Sequence, residues 1–97
     1  MGTGDKLQAL FSIGEIVATS GAFQALSRDA TLAAMLVARH ASGDFGDIDA
    51  EDKATNRAAI KHGNRILSAY KLIGGEKLWI ITEADRSVTT ILLPAEY

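Results

Sequence analysis

Cysteine is absent from the chain. Disulfides and thiolate metal sites are therefore excluded, and nothing points to secretion. Proline occurs once, at Pro94, where a residue that cannot donate to a ladder ends the last strand. No apolar run approaches the length of a membrane span. Met1–Lys6 lacks a basic stretch followed by an apolar one, so it does not read as a signal peptide. Excess charge of one sign is missing too: ten Lys and Arg stand against twelve Asp and Glu, a formal net charge of -2. A strongly basic nucleic-acid binder looks different, although a local basic patch remains open. Also missing are a Walker-type loop, a Rossmann glycine pattern, a paired-histidine zinc helix and a nucleophile elbow. What is present is an ordinary globular composition, 47% hydrophobic and 23% charged over 97 residues. That length gives one domain, 1–97, with a single modest core. A cytoplasmic protein with no cofactor is expected.

The strongest pattern lies in the last third. Arg65–Leu72, Lys77–Glu83 and Val88–Pro94 are β-rich runs separated by Gly74-Gly75 and by Ala84-Asp85-Arg86-Ser87. This predicts a three-stranded antiparallel meander over 65–94. A two-residue loop at Gly74-Gly75 pairs Ile73 with Glu76 and sets Tyr70 facing Trp79. A second turn centred on Asp85-Arg86 pairs Glu83 with Val88 and Thr82 with Thr89. Alternation then divides the side chains between two faces. Leu67, Ala69, Lys71, Leu78, Ile80, Thr82, Thr89, Ile91 and Leu93 form an aliphatic face for helices to cover. Ile66, Ser68, Tyr70, Trp79, Ile81, Glu83, Val88, Thr90 and Leu92 form a mixed face suited to binding. A slip of one residue in either hairpin exchanges side chains between the faces.

Upstream, residues 20–63 read as helical. Met1–Lys6 reads as a frayed terminus and Leu7–Ile13 as a segment that docks on the core. Glu15–Thr19 reads as a short edge strand, which would make the sheet four-stranded, or as an extended lead-in. Ser20 is a candidate N-cap for a helix over Gly21–Leu26, broken by Ser27-Arg28-Asp29. Thr31–His40 is the strongest helix, with Leu32, Met35, Leu36 and Arg39 at helical spacing. Ala41–Asp47 is a loop with Phe45 tucked beneath it. Its Gly43-Asp44-Phe45-Gly46 shares letters with a kinase metal motif, but a kinase does not fit in 97 residues. Asp49 caps a third helix over Ala50–His62, which Gly63 ends in the left-handed conformation. Ala50, Ala54, Ala58 and Ala59 offer a small-residue stripe for close packing, and Asp52 and Asn56 share another.

Two histidines each follow a cation, as Arg39-His40 and Lys61-His62. If both helix ends share one rim of the sheet, His40, His62, Arg39, Lys61 and Arg65 cluster there, with Asp44, Asp52 and Glu83 to orient them. Metal-independent phosphodiester cleavage needs such a base, acid and cations. A divalent metal on His40, Asp44 and Asp52 is the weaker alternative, and no metal site is assigned. Helix dipoles explain both basic pairs without any function.

The runs Ala38–Gly46, Gly63–Tyr70 and Leu78–Tyr97, with Asp52 and Asn56 between them, resemble a family of small bacterial plasmid and mobile-element proteins. Members carry labels such as "plasmid-related protein" or restriction-modification subunit. The family has tryptophan at the position of Phe45 and a Thr-Pro-Gly-Ala-Leu type of helix start at Thr19–Phe23. The resemblance implies a mobile-element accessory protein. The restriction label does not fit, because 97 residues are too few for a methyltransferase with target recognition. A fainter likeness, to barnase and RelE-type ribonucleases, implies His40, His62, Arg65, Glu83 and Thr90 as catalytic residues. The acidic net charge departs from that pattern.

The expectation is therefore an α+β fold, with N-terminal helices on a C-terminal antiparallel sheet. Function is expected through a macromolecular partner, protein in preference to nucleic acid and with no membrane, a homodimer being compatible. Arg39, Asp44, Tyr70, Trp79 and Arg86 are the binding candidates. The alternative is a histidine-dependent nuclease.

Overall fold

The computed structural model describes residues 9–97, and the readings of Met1–Lys6 and of the start of Leu7–Ile13 fall largely outside them. The chain runs β1 (Glu15–Ala18), α1 (Ser20–Asp29), α2 (Ala33–Ala41), α3 (Ala50–His62), β2 (Ile66–Lys71), β3 (Lys77–Thr82), β4 (Val88–Leu92) and a 3-10 turn (Pro94–Glu96). The fold is α+β. Its sheet has four strands in the order β1-β4-β3-β2. The meander is antiparallel as expected, but β1 joins β4 in parallel, so the sheet is mixed. The helices between β1 and β4 supply the long crossover that a parallel pair needs.

Local chemistry sets the helix ends. Thr19, not Ser20, caps α1, its hydroxyl accepting from the Ala22 amide at 3.1 Å. The helix runs through Ser27–Asp29 instead of breaking there, and stops at Ala30 in the left-handed region. Asp49 caps α3 through the Asp52 amide at 2.8 Å, and Gly63 ends it at φ 76°. Of the predicted alanine stripe only Ala59 is buried; Asn56 and Ala59 form the packed side of α3. On α2 the buried side is Leu36, Val37, His40 and Ala41. Leu32 and Met35, expected in the core, stand 64% and 61% exposed. Because nearly every residue of α2 is apolar, spacing alone could not choose its inner side.

The second hairpin has the expected register, with Thr82 opposite Thr89. The first is one residue out: Tyr70 pairs with Leu78, and Ala69 with Trp79. The loop is Ile73-Gly74-Gly75, closed by Leu72 N–H to Glu76 O at 2.8 Å, with Gly75 alone at φ 94°. A three-residue loop with glycine in its last, left-handed position is a standard hairpin closure. The Asp29 carboxylate holds it, accepting the Ile73 and Gly74 amides at 3.0 Å each. Hence β2 is turned over. Ile66, Ser68 and Tyr70 face the helices, while Leu67, Ala69 and Lys71 face away.

The main core joins Ala22, Ala25 and Leu26 of α1 and Leu36 and Val37 of α2 to Tyr70, Leu78, Ile80 and Ile91 of the sheet. A second cluster packs Phe45 and Ala59 on Ile66. Phe45 is thus the loop anchor its composition suggested. Beside it, residues 45–47 pair with the outer edge of β2: Ala69 N–H donates to Phe45 O, and Asp47 N–H to Ala69 O. Gly46 is required there, because at φ 75° any Cβ would collide with the Ala69 carbonyl. Farther along the same edge, the Asn56 amide mimics a strand, donating to Leu67 O at 2.7 Å and accepting from Leu67 N at 3.1 Å. One sheet edge is therefore closed by side chain and loop.

Candidate functional site

His40 is fully buried. Its Nδ1 lies 2.6 Å from Ser68 Oγ and its Nε2 2.8 Å from Thr82 Oγ1. Thr82 Oγ1 is 2.7 Å from Thr89 Oγ1, which is 2.6 Å from the Ile13 carbonyl. The order of protons follows from the end of this chain. A carbonyl only accepts, so Thr89 donates to Ile13. Thr89 must then accept from Thr82, and Thr82 from His40 Nε2–H. Nδ1 is left to accept from Ser68. One neutral tautomer satisfies every member. Burial depresses the imidazole pKa from 6.5 to about 4. The ring also meets Phe11 edge to face at 5.2 Å.

The expected histidine rim does not form. His40 points into the protein, and His62 is exposed at the end of α3. Among the described residues, no three His, Asp or Glu side chains come together as a metal site. Asp44 is instead held by Arg39, Nε to Oδ2 at 2.7 Å and Nη2 to Oδ1 at 3.3 Å. That pairing lowers the Asp44 pKa below the usual carboxylate value and raises that of Arg39. Arg39 lies over the Tyr70 ring at 4.6 Å, and the Tyr70 hydroxyl donates to the Asp44 carbonyl at 2.5 Å. Tyr70 is a core residue, its phenol pushed up to about 12 by burial. Arg86, expected at a solvated turn, is a clamp. Its Nη1 donates to Asn64 O at 2.7 Å and Glu83 O at 3.1 Å, and its Nη2 to Ala59 O at 3.0 Å. Tying the second hairpin to the end of α3 leaves it little freedom to bind elsewhere.

The remaining candidates meet on the sheet face away from the helices. The register arranges that face in rows. Lys71 stands opposite Lys77. Next come Ala69, Trp79 and Leu92, then Leu67, Ile81, Thr90 and Val17. Arg65, Glu83, Val88 and Glu15 close the other end. Arg65 and Glu83 form an ion pair at 3.3 Å, and Arg65 Nη1 donates to the Tyr97 hydroxyl at 2.7 Å. Tyr97 meets Trp79 edge to face at 5.5 Å. Trp79, Leu67, Thr90 and Val88 remain partly exposed, whereas Ala69, Ile81 and Leu92 are buried under their neighbours. Two like charges opposite each other across a ladder destabilise a sheet. Asp47, 3.8 Å from Lys77, partly offsets this pair.

Sequence reasoning missed the roles of Ser68, Asp29 and Asn56. A usable signal did exist for the buried network. The pattern puts Thr82 and Thr89 on the face that helices cover, and buried hydroxyls need partners. Comparison with protein-family models, curated proteins and solved structures returns no match.

Proposed function

We propose that the chain is a binding module, taking a protein segment on the outward face of its sheet. The supporting observation is the composition of that face: an apolar centre around Trp79, with Lys71 and Lys77 side by side at one end. Those charges suit an extended segment that carries carboxylates beside apolar side chains. The net charge of -2 and the carboxylates Glu15 and Glu83 at the far end favour protein over nucleic acid. A role as a mobile-element accessory protein, in plasmid maintenance or host defence, follows only from the resemblance described above. Among the described residues, no helix is long and apolar enough to cross a membrane.

The nuclease reading draws no support from the geometry. Both His40 nitrogens are engaged, Arg65 and Glu83 form an ion pair with each other, and Thr90 stands beside Ile81 on the sheet face opposite the one that covers His40.

Selection from a peptide library on the folded protein tests the proposal. Enriched peptides should be acidic and apolar, and should lose at least tenfold in affinity on Trp79→Ala and on Lys71→Glu. Peptides bound equally by both variants would reject the outward face as the site. Cleavage of RNA in EDTA, abolished by His62→Ala, would instead favour catalysis.

A further inference from the structure

The outward sheet face already carries an aromatic side chain from its own chain. The turn Pro94–Glu96 brings Tyr97 back over β3. The Tyr97 ring meets Trp79 edge to face at 5.5 Å, and its hydroxyl accepts from Arg65 Nη1 at 2.7 Å. The hold on it is slight. Tyr97 is 69% exposed, whereas the core tyrosine, Tyr70, is 2% exposed. The turn itself is fixed one residue earlier. Glu96 Oε1 accepts from the Leu93 amide at 2.8 Å and from the Thr19 hydroxyl at 2.5 Å. Rotation of its own side chain is therefore enough to take Tyr97 off Trp79, with the turn kept.

We infer, on the reading of the outward face as a site for a protein segment, that Tyr97 holds the place of a tyrosine in that segment, which displaces it from Trp79 and Arg65. Three features select a tyrosine. Trp79 is half-buried and offers a ring edge or face to a second aromatic side chain, a contact that adds to simple area burial. Arg65 offers a donor at the far end of the incoming ring, which a phenol oxygen meets and a phenylalanine does not. Glu83, 3.3 Å from Arg65 Nη2, already balances the guanidinium charge. A neutral hydroxyl suits an arginine so paired, whereas a phosphate would be repelled by the Glu83 carboxylate. The lysines set the rest of the motif. Lys77, with Lys71 opposite it, stands two residues along β3 from Trp79, roughly 7 Å at the rise of a strand. A carboxylate about two to four residues from the tyrosine reaches them.

A site covered for most of the time binds more weakly in proportion to its uncovered fraction. Random-peptide selection on folded Tyr97→Ala protein should enrich tyrosine with Asp or Glu within about four residues of it. The enriched peptides should bind Tyr97→Ala about three- to tenfold more tightly than the parent. Replacing their tyrosine by phenylalanine should cost about fivefold on Tyr97→Ala, and nothing once Arg65→Met is added. Phosphorylating that tyrosine should weaken binding. Trp79 is the only tryptophan, so its fluorescence reports the cover without any ligand. Acrylamide should quench it more strongly in Tyr97→Ala than in the parent. Peptides without tyrosine that still depend on Trp79 would overturn the inference and leave the outward face standing as a site. Peptides indifferent to Trp79→Ala would remove both. Weaker binding by Tyr97→Ala would make Tyr97 a wall of the site and overturn the inference, as would unchanged quenching or tighter binding of the phosphopeptides.

Discussion

At neutral pH the His40 ring carries no charge, and its surroundings hold it so. No carboxylate is among its hydrogen-bond partners, and protonating Nδ1 would force the Ser68 hydroxyl to turn its hydrogen away. The consequence for stability has a definite sign. Below pH 6.5 the unfolded chain binds a proton that the folded chain refuses until about pH 4. Stability is therefore full above pH 6.5 and declines as pH falls through that window, by roughly 3 kcal/mol. Urea midpoints measured across the window should show this loss, and His40→Gln, although less stable at pH 7, should flatten it. The network was only half legible in the sequence. A histidine in the last turn of a helix looks like a cap for the dipole. The two hydroxyls that claim it, Ser68 and Thr82, come from two strands more than twenty-five residues away, and a third strand supplies Thr89 behind Thr82.

Helix α3 and the second hairpin were readable because their signals are local. Asp49, Gly63 and the Asp85–Ser87 turn carry their geometry within a few residues. The first hairpin was misread because Gly-Gly serves either as a two-residue loop or as the end of a three-residue one. Asp29, distant in sequence, supports the latter. The two loops differ in what they require of the glycines. Only Gly75 has a positive φ. Gly75→Ala should cost about 1–2 kcal/mol, and Gly74→Ala distinctly less. Equal costs in chemical denaturation would favour the two-residue loop. At the closed sheet edge, Asn56→Ala leaves both backbone groups of Leu67 without their partner. A loss of about 2–3 kcal/mol is expected, with faster amide exchange at Leu67. Residue spacing placed Asn56 on a helix stripe but could not show that its amide stands in for a strand.

For the whole molecule, helices packed on one side of a sheet leave the other side to face outward. That layering was legible from the order of elements; the side chains on the outward face were not. Turning β2 over moved Tyr70 and Ser68 into the core and brought Leu67 and Lys71 out. The mixed face expected to hold Tyr70 and Ser68 instead has Trp79, with Tyr97 against it, in a largely aliphatic centre beside Thr90, and lysines at its end. The parallel placement of β1 escaped prediction as well, since Glu15–Ala18 alone does not specify its neighbour. The reading of this protein as a binder requires that its polar inventory be structural, and His40 is the group on which that turns. Nitrogen NMR of the His40 imidazole, followed through a pH titration of the folded chain, tests it most directly. A neutral ring protonated at Nε2 should persist down to about pH 4. A ring that titrates near its ordinary value of 6.5, or that carries its proton on Nδ1, would contradict it.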